Sequence, residues 1–132
     1  MQARDVMTAQ PLTATPSSSV SEVMETMSDK DIRHLPIVSG HELVGVVSDR
    51  DLRQFSRNIL LDAARAQAQL RLPIGELMSS DVLTADPEDD VDDIIELMVD
   101  NKVGAVPIVT GDGALVGIVS YVDILRAASG KL

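Results

Sequence analysis

The sequence predicts a mixed α/β (α+β) fold made of two copies of one β-α-β-β-α unit, related by a pseudo-two-fold axis. Three observations carry this. The first is a repeat: Leu12-Thr13-Ala14-Thr15-Pro16 returns as Leu83-Thr84-Ala85-Asp86-Pro87, and Pro36-Ile37-Val38 returns as Pro107-Ile108-Val109. Leu43-Val44-Gly45-Val46-Val47-Ser48 returns as Leu115-Val116-Gly117-Ile118-Val119-Ser120. Two copies are too few for a solenoid and suit a pair that buries a shared core. The second is that the strand runs are apolar on both faces, which argues for small sheets covered by helices. The third is composition. Hydrophobic residues make up 45 % of the 132 residues and aromatics only 2 %, so the core is aliphatic.

Each element has a local cause. Pro11 to Thr15 is a short extended piece, and Pro16-Ser17-Ser18-Ser19 is a breaker and cap cluster. Val20, Val23, Met24 and Met27 then recur at helical spacing, opposite Ser21, Glu22 and Glu25. Leu35 to Val38 is a short buried strand, Ser39-Gly40-His41-Glu42 a hairpin turn, and Leu43 to Val47 the next strand. A helix starts at Ser48. In the second copy Val82 to Ala85 is extended, and Val91, Ile94, Ile95 and Met98 line a helix face. Val106 to Val109 and Leu115 to Val119 are strands joined by Gly111-Asp112-Gly113, and a helix runs from Ser120 toward Ala128. Between the copies, Leu60, Leu61, Ala64, Ala68 and Leu72 mark a helix bearing Arg57, Arg65 and Arg71, either separate or an extension of the helix that starts at Ser48, ended by Pro73 and Gly75. The expected division is 1–56, a helical linker 57–75, and 76–132. Each copy has about 55 residues, near the lower limit for a separate core, so the two are expected to fold together.

Charge excludes one class of partner. The net charge is −10. A polymeric nucleic acid needs Lys and Arg for its phosphates, and single strands need aromatic platforms. Phe55 and Tyr121 are the only aromatics. Residues 76–132 carry 12 acidic and 3 basic groups, many of the acids in Asp86 to Asp93, where they suit the positive end of a helix dipole. There is no cysteine and no apolar run of bilayer length. The opening Met1-Gln2-Ala3-Arg4-Asp5 lacks the apolar stretch of a signal peptide, so a cytoplasmic location and a short complete chain are expected.

The chemistry concentrates in Gly45-Val46-Val47-Ser48-Asp49-Arg50-Asp51 and its copy Gly117-Ile118-Val119-Ser120-Tyr121-Val122-Asp123. Each is a strand ending in Ser, with Asp three residues on, opening a helix. One reading is a capping box. The other uses the same geometry on a ligand. Free N–H groups and the Ser hydroxyl meet a phosphate, and the carboxylate accepts from ribose hydroxyls. Gly45 and Gly117, lacking a Cβ, would let a base or a neighbouring backbone approach.

These motifs resemble the cystathionine β-synthase (CBS) domain, present here as a tandem pair, the Bateman module. The resemblance spans roughly 5–55 and 76–127. It rests on Met7 and Met78, Thr13 and Thr84, the Pro-Ile-Val strands, and the two Gly-x-x-Ser-x-x-Asp endings. It implies an adenosine-containing ligand (AMP, ADP, ATP or S-adenosylmethionine) in the clefts between repeats. Asp51 and Asp123 would hold the ribose, and Ser48 and Ser120 would lie beside phosphate or ribose. Thr13 and Thr84, with the backbone around Leu35-Pro36 and Val106-Pro107, would frame the base.

The two half-sites differ. The first has Arg33, His34, Arg50 and Arg53 where the second has Gly104, Ala105, Val122 and Leu125, so an anionic ligand is expected to prefer the first. Two separated histidines and no cysteine make catalysis or a metal site a poor alternative. A purely structural or interaction module with empty clefts is the serious rival. The resemblance further implies regulation of a partner protein and a homodimer, and apolar helix faces such as Val23 with Met27 and Ile94 with Met98 point to the same homodimer.

Overall fold

The computed structural model describes residues 1–130. Its elements, in order, are α1 (Ala3–Val6), β1 (Thr8–Ala9), α2 (Val20–Asp29), β2 (His34–Ser39), β3 (Glu42–Ser48), α3 (Asp49–Leu61), α4 (Ala66–Leu70), α5 (Val91–Asn101), β4 (Ala105–Val109), β5 (Leu115–Ser120) and α6 (Tyr121–Ala128). Helix and strand are mixed as expected.

The chain packs as two compact units. Unit I comprises Leu12–Gly40 and Val44–Val82. Unit II comprises Met1–Pro11, His41–Leu43 and the chain from Leu83 onward. Packing therefore groups the chain differently from the sequential division 1–56, 57–75 and 76–132. The first eleven residues join the second repeat, and the residues leading into the second repeat join the first.

In unit I, β2 pairs with β3. Val46 of β3 forms an antiparallel bridge with Ser79, and Ala14 a parallel bridge with Ile37. Ser19 caps α2, its hydroxyl accepting from Glu22 N at 3.1 Å. The apolar positions of α2, Val20, Val23 and Met27, enter a core with Leu35, Ile37, Val47, Leu52, Phe55 and Ile74. Each such aliphatic side chain contributes roughly 1.5–3 kcal/mol on burial.

Unit II repeats the plan with a longer sheet, β1-β5-β4, antiparallel throughout. Ala85 makes the parallel bridge, here to Ile108. Its core holds Ala3, Val6, Val91, Ile94, Met98, Val106, Ile108 and Val119. The equivalence reaches small details: Asp31 and Lys102, just past α2 and α5, both take positive φ, 51° and 54°. The acidic run 86–93 is an exposed helix start, with Asp90 accepting from Asp92 N at 3.2 Å and Asp89 from Asp86 N at 2.9 Å.

Two expectations are corrected. The faces Val23/Met27 and Ile94/Met98 do not await a second copy. They are 0–9 % exposed and fill the cores of their own units. Apolar helix positions that do face solvent include Leu60, Leu61, Val99, Val122 and Leu125. The linker is not one helix. α3 runs on from Ser48 to Leu61, the backbone breaks at Asp62 (φ −141°, ψ 71°), and a 3-10 turn at Ala63–Arg65 leads into the short α4.

Candidate functional site: two Ser/Asp helix starts

In unit I, β3 delivers Ser48 to the start of α3. The Ser48 hydroxyl accepts from Asp51 N at 3.1 Å, and Asp51 Oδ2 accepts from Ser48 N at 3.0 Å. This is a reciprocal capping box, so the structural reading of the motif holds in full. It also fixes the Asp51 carboxylate at the end of the strand, half-buried, with Oδ1 uncommitted among the described residues.

Backbone bonds gather the other residues. Asp49 N donates to Arg33 O at 2.7 Å, tying the start of α3 to the residue before β2. Ala14 N donates to Pro36 O at 3.1 Å, and Val38 N to Ala14 O at 2.9 Å, setting exposed Thr13 beside the Leu35-Pro36 backbone. Leu35 and Pro36 themselves are fully buried, so they offer main chain rather than side chain.

His34 opens β2 and is half-buried. Burial lowers its pKa below the ordinary 6.5, opposed by the nearby Asp49 and Asp51 carboxylates and reinforced by Arg33. Arg33 and Arg50 are exposed. Arg53, counted with Arg33 and Arg50 as basic charge near the first half-site, pairs with Asp49 one turn away, Nε to Oδ2 at 3.4 Å. Arg33 and Arg50, for which no ion pair is seen among the described residues, are the least committed positive charges near this helix start.

Unit II builds the same constellation. Tyr121 N donates to Gly104 O at 3.0 Å, matching the Asp49–Arg33 bond. Ala85 N donates to Pro107 O at 3.1 Å, which sets Thr84 beside the Val106-Pro107 backbone, with Ala105 opening β4. Ser120 caps α6, and Asp123 reaches back to Ser120 N at 2.9 Å. Asp123 is only 6 % exposed. No Lys or Arg replaces Arg33 or Arg50 here. Among the described residues, no group of three His, Cys, Asp or Glu could hold a metal ion.

Of the two readings of the glycines, the structure bears out the close approach of a neighbouring backbone, and adds a methionine side chain. A Cβ on Gly45 would stand 2.5 Å from Met78 Sδ and 3.0 Å from the Ser79 carbonyl oxygen. On Gly117 it would collide with Met7 Sδ, with the Thr8 carbonyl at 3.1 Å. Each glycine is the seat of a methionine that directly precedes the residue bridged to the neighbouring strand. Met7 and Met78, motif residues with no assigned part, are thereby explained.

The CBS domain family matches residues 3–58 and 74–130. The chain belongs to the CBS domain family. It carries the domain twice, in the tandem arrangement its repeat implied. A crystal structure of CBSX2 in complex with AMP is similar at 30 % identity, over 98 % of this chain and 96 % of that one, with a TM-score of 0.84. The CBS domain pair of protein MJ0100, crystallised with 5′-methylthioadenosine and S-adenosyl-L-methionine, is similar at 31 % identity over 100 % and 98 %, with a TM-score of 0.81. The CBS domain-containing protein YhcV of Bacillus subtilis is 30 % identical, covering 92 % of this chain and 81 % of its own length. L-aspartate semialdehyde sulfurtransferase of Methanocaldococcus jannaschii is 33 % identical over 97 % of this chain, but only 23 % of that enzyme is covered. The chain spans less than half the length of the first three curated relatives it matches. No helix among the described residues is long and apolar enough to cross a membrane.

Proposed function

We propose that this CBS pair is a ligand-sensing module that binds an adenosine-containing nucleotide (AMP, ADP, ATP or S-adenosylmethionine) and signals to a partner protein without catalysing a reaction. One observation carries the reading. Each repeat ends a strand in a Ser/Asp box that fixes a carboxylate at a helix start, in a chain 30 % identical to a CBS protein crystallised with AMP. Asp51 and Asp123 would accept from ribose hydroxyls. Ser48 and Ser120 would meet phosphate or ribose. Thr13 with Leu35-Pro36, and Thr84 with Ala105, Val106 and Pro107, would frame the base through main-chain groups. Arg33, His34 and Arg50 give the first half-site its preference for an anion.

A structural module that binds no nucleotide is the second reading. It is favoured by the completeness of the capping boxes, which account for both motifs without a ligand. A thermal-shift screen separates the two. A ligand binding only the folded state stabilises it by about 2.7 kcal/mol at one hundred times Kd. AMP, ADP, ATP, S-adenosylmethionine, NAD and GMP form the panel. A rise with adenosine compounds and none with GMP supports the sensing role. No rise with any compound supports the structural one.

A further inference from the structure

The two carboxylates at the heart of the proposed function are not in the same state. A carboxylate offers about four acceptor positions. Asp51 uses one, for Ser48 N. Asp123 uses three: Oδ2 accepts from Ser120 N at 2.9 Å and Ser120 Oγ at 3.1 Å, and Oδ1 accepts from Thr8 Oγ1 at 3.1 Å. Thr8 lies in β1, 115 residues away, and reaches Asp123 because β1 pairs with β5 through Thr8 and Ile118. The equivalent residue of unit I is Ser79, which bridges Val46 in the same way. Among the described residues its side chain makes no bond to Asp51.

We infer that Thr8 is a built-in occupant of the second half-site: its hydroxyl holds the Asp123 oxygen that a ribose hydroxyl would take. The inference rests on the proposed nucleotide function and sharpens it to one residue. A ribose diol donates two hydrogen bonds. Asp51 has room for both. Asp123 has room for one, and for both only after Thr8 lets go. Breaking a hydrogen bond to a charged, buried oxygen costs more than breaking a neutral one. Selectivity for the first half-site therefore has two sources, the Arg33 and Arg50 charge and the Thr8 hydroxyl. Only the second can be removed by a near-isosteric change. Thr8 is a positioning residue, since it acts on the ligand through Asp123.

Isothermal titration with AMP tests this on the full chain. Wild type is expected to fill one half-site per chain. Thr8→Val, which removes the donor and keeps the shape, is expected to bind a second AMP about tenfold more tightly than wild type does. Thr8→Ser, which keeps the hydroxyl, is expected to behave as wild type. The gain in Thr8→Val should vanish with 2′,3′-dideoxy-AMP, which has no ribose hydroxyls to donate. Should Thr8→Val fail to give a cooperative melt, Thr8→Ala makes the same reading. If wild type already binds two AMP with equal affinity, or if Thr8→Val leaves the single event unchanged, the role of Thr8 falls and the nucleotide function stands. If neither wild type nor the Thr8 variants bind AMP, both fall together.

Discussion

Gly45→Ala is the sharpest probe of how the strands and methionines fit. The added Cβ would sit 2.5 Å from Met78 Sδ and 3.0 Å from the Ser79 carbonyl, both inside van der Waals contact. Overpacking of this kind costs about 1–3 kcal/mol. Replacing Gly by Ala in a strand returns about 0.5–1 kcal/mol of backbone entropy. The net expectation is a loss of about 0.5–2 kcal/mol. At roughly 3–4 °C per kcal/mol for a chain of this size, Tm falls by about 2–8 °C. The assay is a thermal or urea melt of four proteins: wild type, Gly45→Ala, Met78→Ala and the double variant. Because the clash is mostly with the flexible Met78 side chain, Gly45→Ala should cost markedly less when Met78 is already Ala. That coupling should reach about 0.5 kcal/mol or more. If Gly45→Ala is neutral, or if its cost is the same in both backgrounds, the glycine is not the seat of Met78.

The other predictions concern pH, core, assembly and signalling. His34 has a folded pKa below its unfolded 6.5, because burial disfavours its charged form. The unfolded chain therefore binds the proton first, and stability falls as pH drops from 6.5 toward the folded value. His34→Gln should flatten that slope in melts between pH 7.5 and 5, and an unchanged slope would refute it. Ile94→Ala should cost about 2–5 kcal/mol in a chemical melt, as a wholly buried core position does, with no effect on assembly at matched folding. Sedimentation at tens of micromolar should show a dimer. The surface used should include the exposed Val99 or Leu125, so Leu125→Glu should shift the equilibrium to monomer where Met98→Leu does not. Hydrogen exchange with and without AMP should change protection in α6 or in the segment 57–72 as well as at the site. Changes confined to the site residues would leave a passive binder rather than a switch.

What was legible in the sequence was whatever local chemistry decides. The caps Ser19, Ser48 and Ser120, the turn at Gly40 and the buried strands around Ile37 and Ile108 depend on neighbours a few residues away, and they stand as expected. Elements made by distant partners were not legible. α1 and β1 have four and two residues, too few to show a period, and β1 exists because Thr8 and Ala9 pair with Ile118 and Gly117. A usable signal was there: Met7-Thr8 returns as Met78-Ser79 at the repeat offset, so the repeat begins before Leu12. Apolar periodicity gave the inward faces of α2 and α5 correctly but could not say whether core or second copy covers them. Arg53 was counted toward the ligand's charge without its i,i+4 partner Asp49, which lies in the motif itself. The state of Asp123 was hidden for the same reason as β1: its third donor, Thr8, comes from the far end of the chain.

The central claim is that Asp51 holds the ribose of an adenosine nucleotide. Titration of AMP into wild type and Asp51→Ala, each shown by its melt to be folded, tests it directly. The carboxylate's bonds to ribose hydroxyls are charge-assisted, so their loss should weaken binding by about 1–3 kcal/mol, roughly 5- to 150-fold in Kd. Equal affinity in the two proteins would contradict the assignment and leave Ser48 and Asp51 as a helix cap alone.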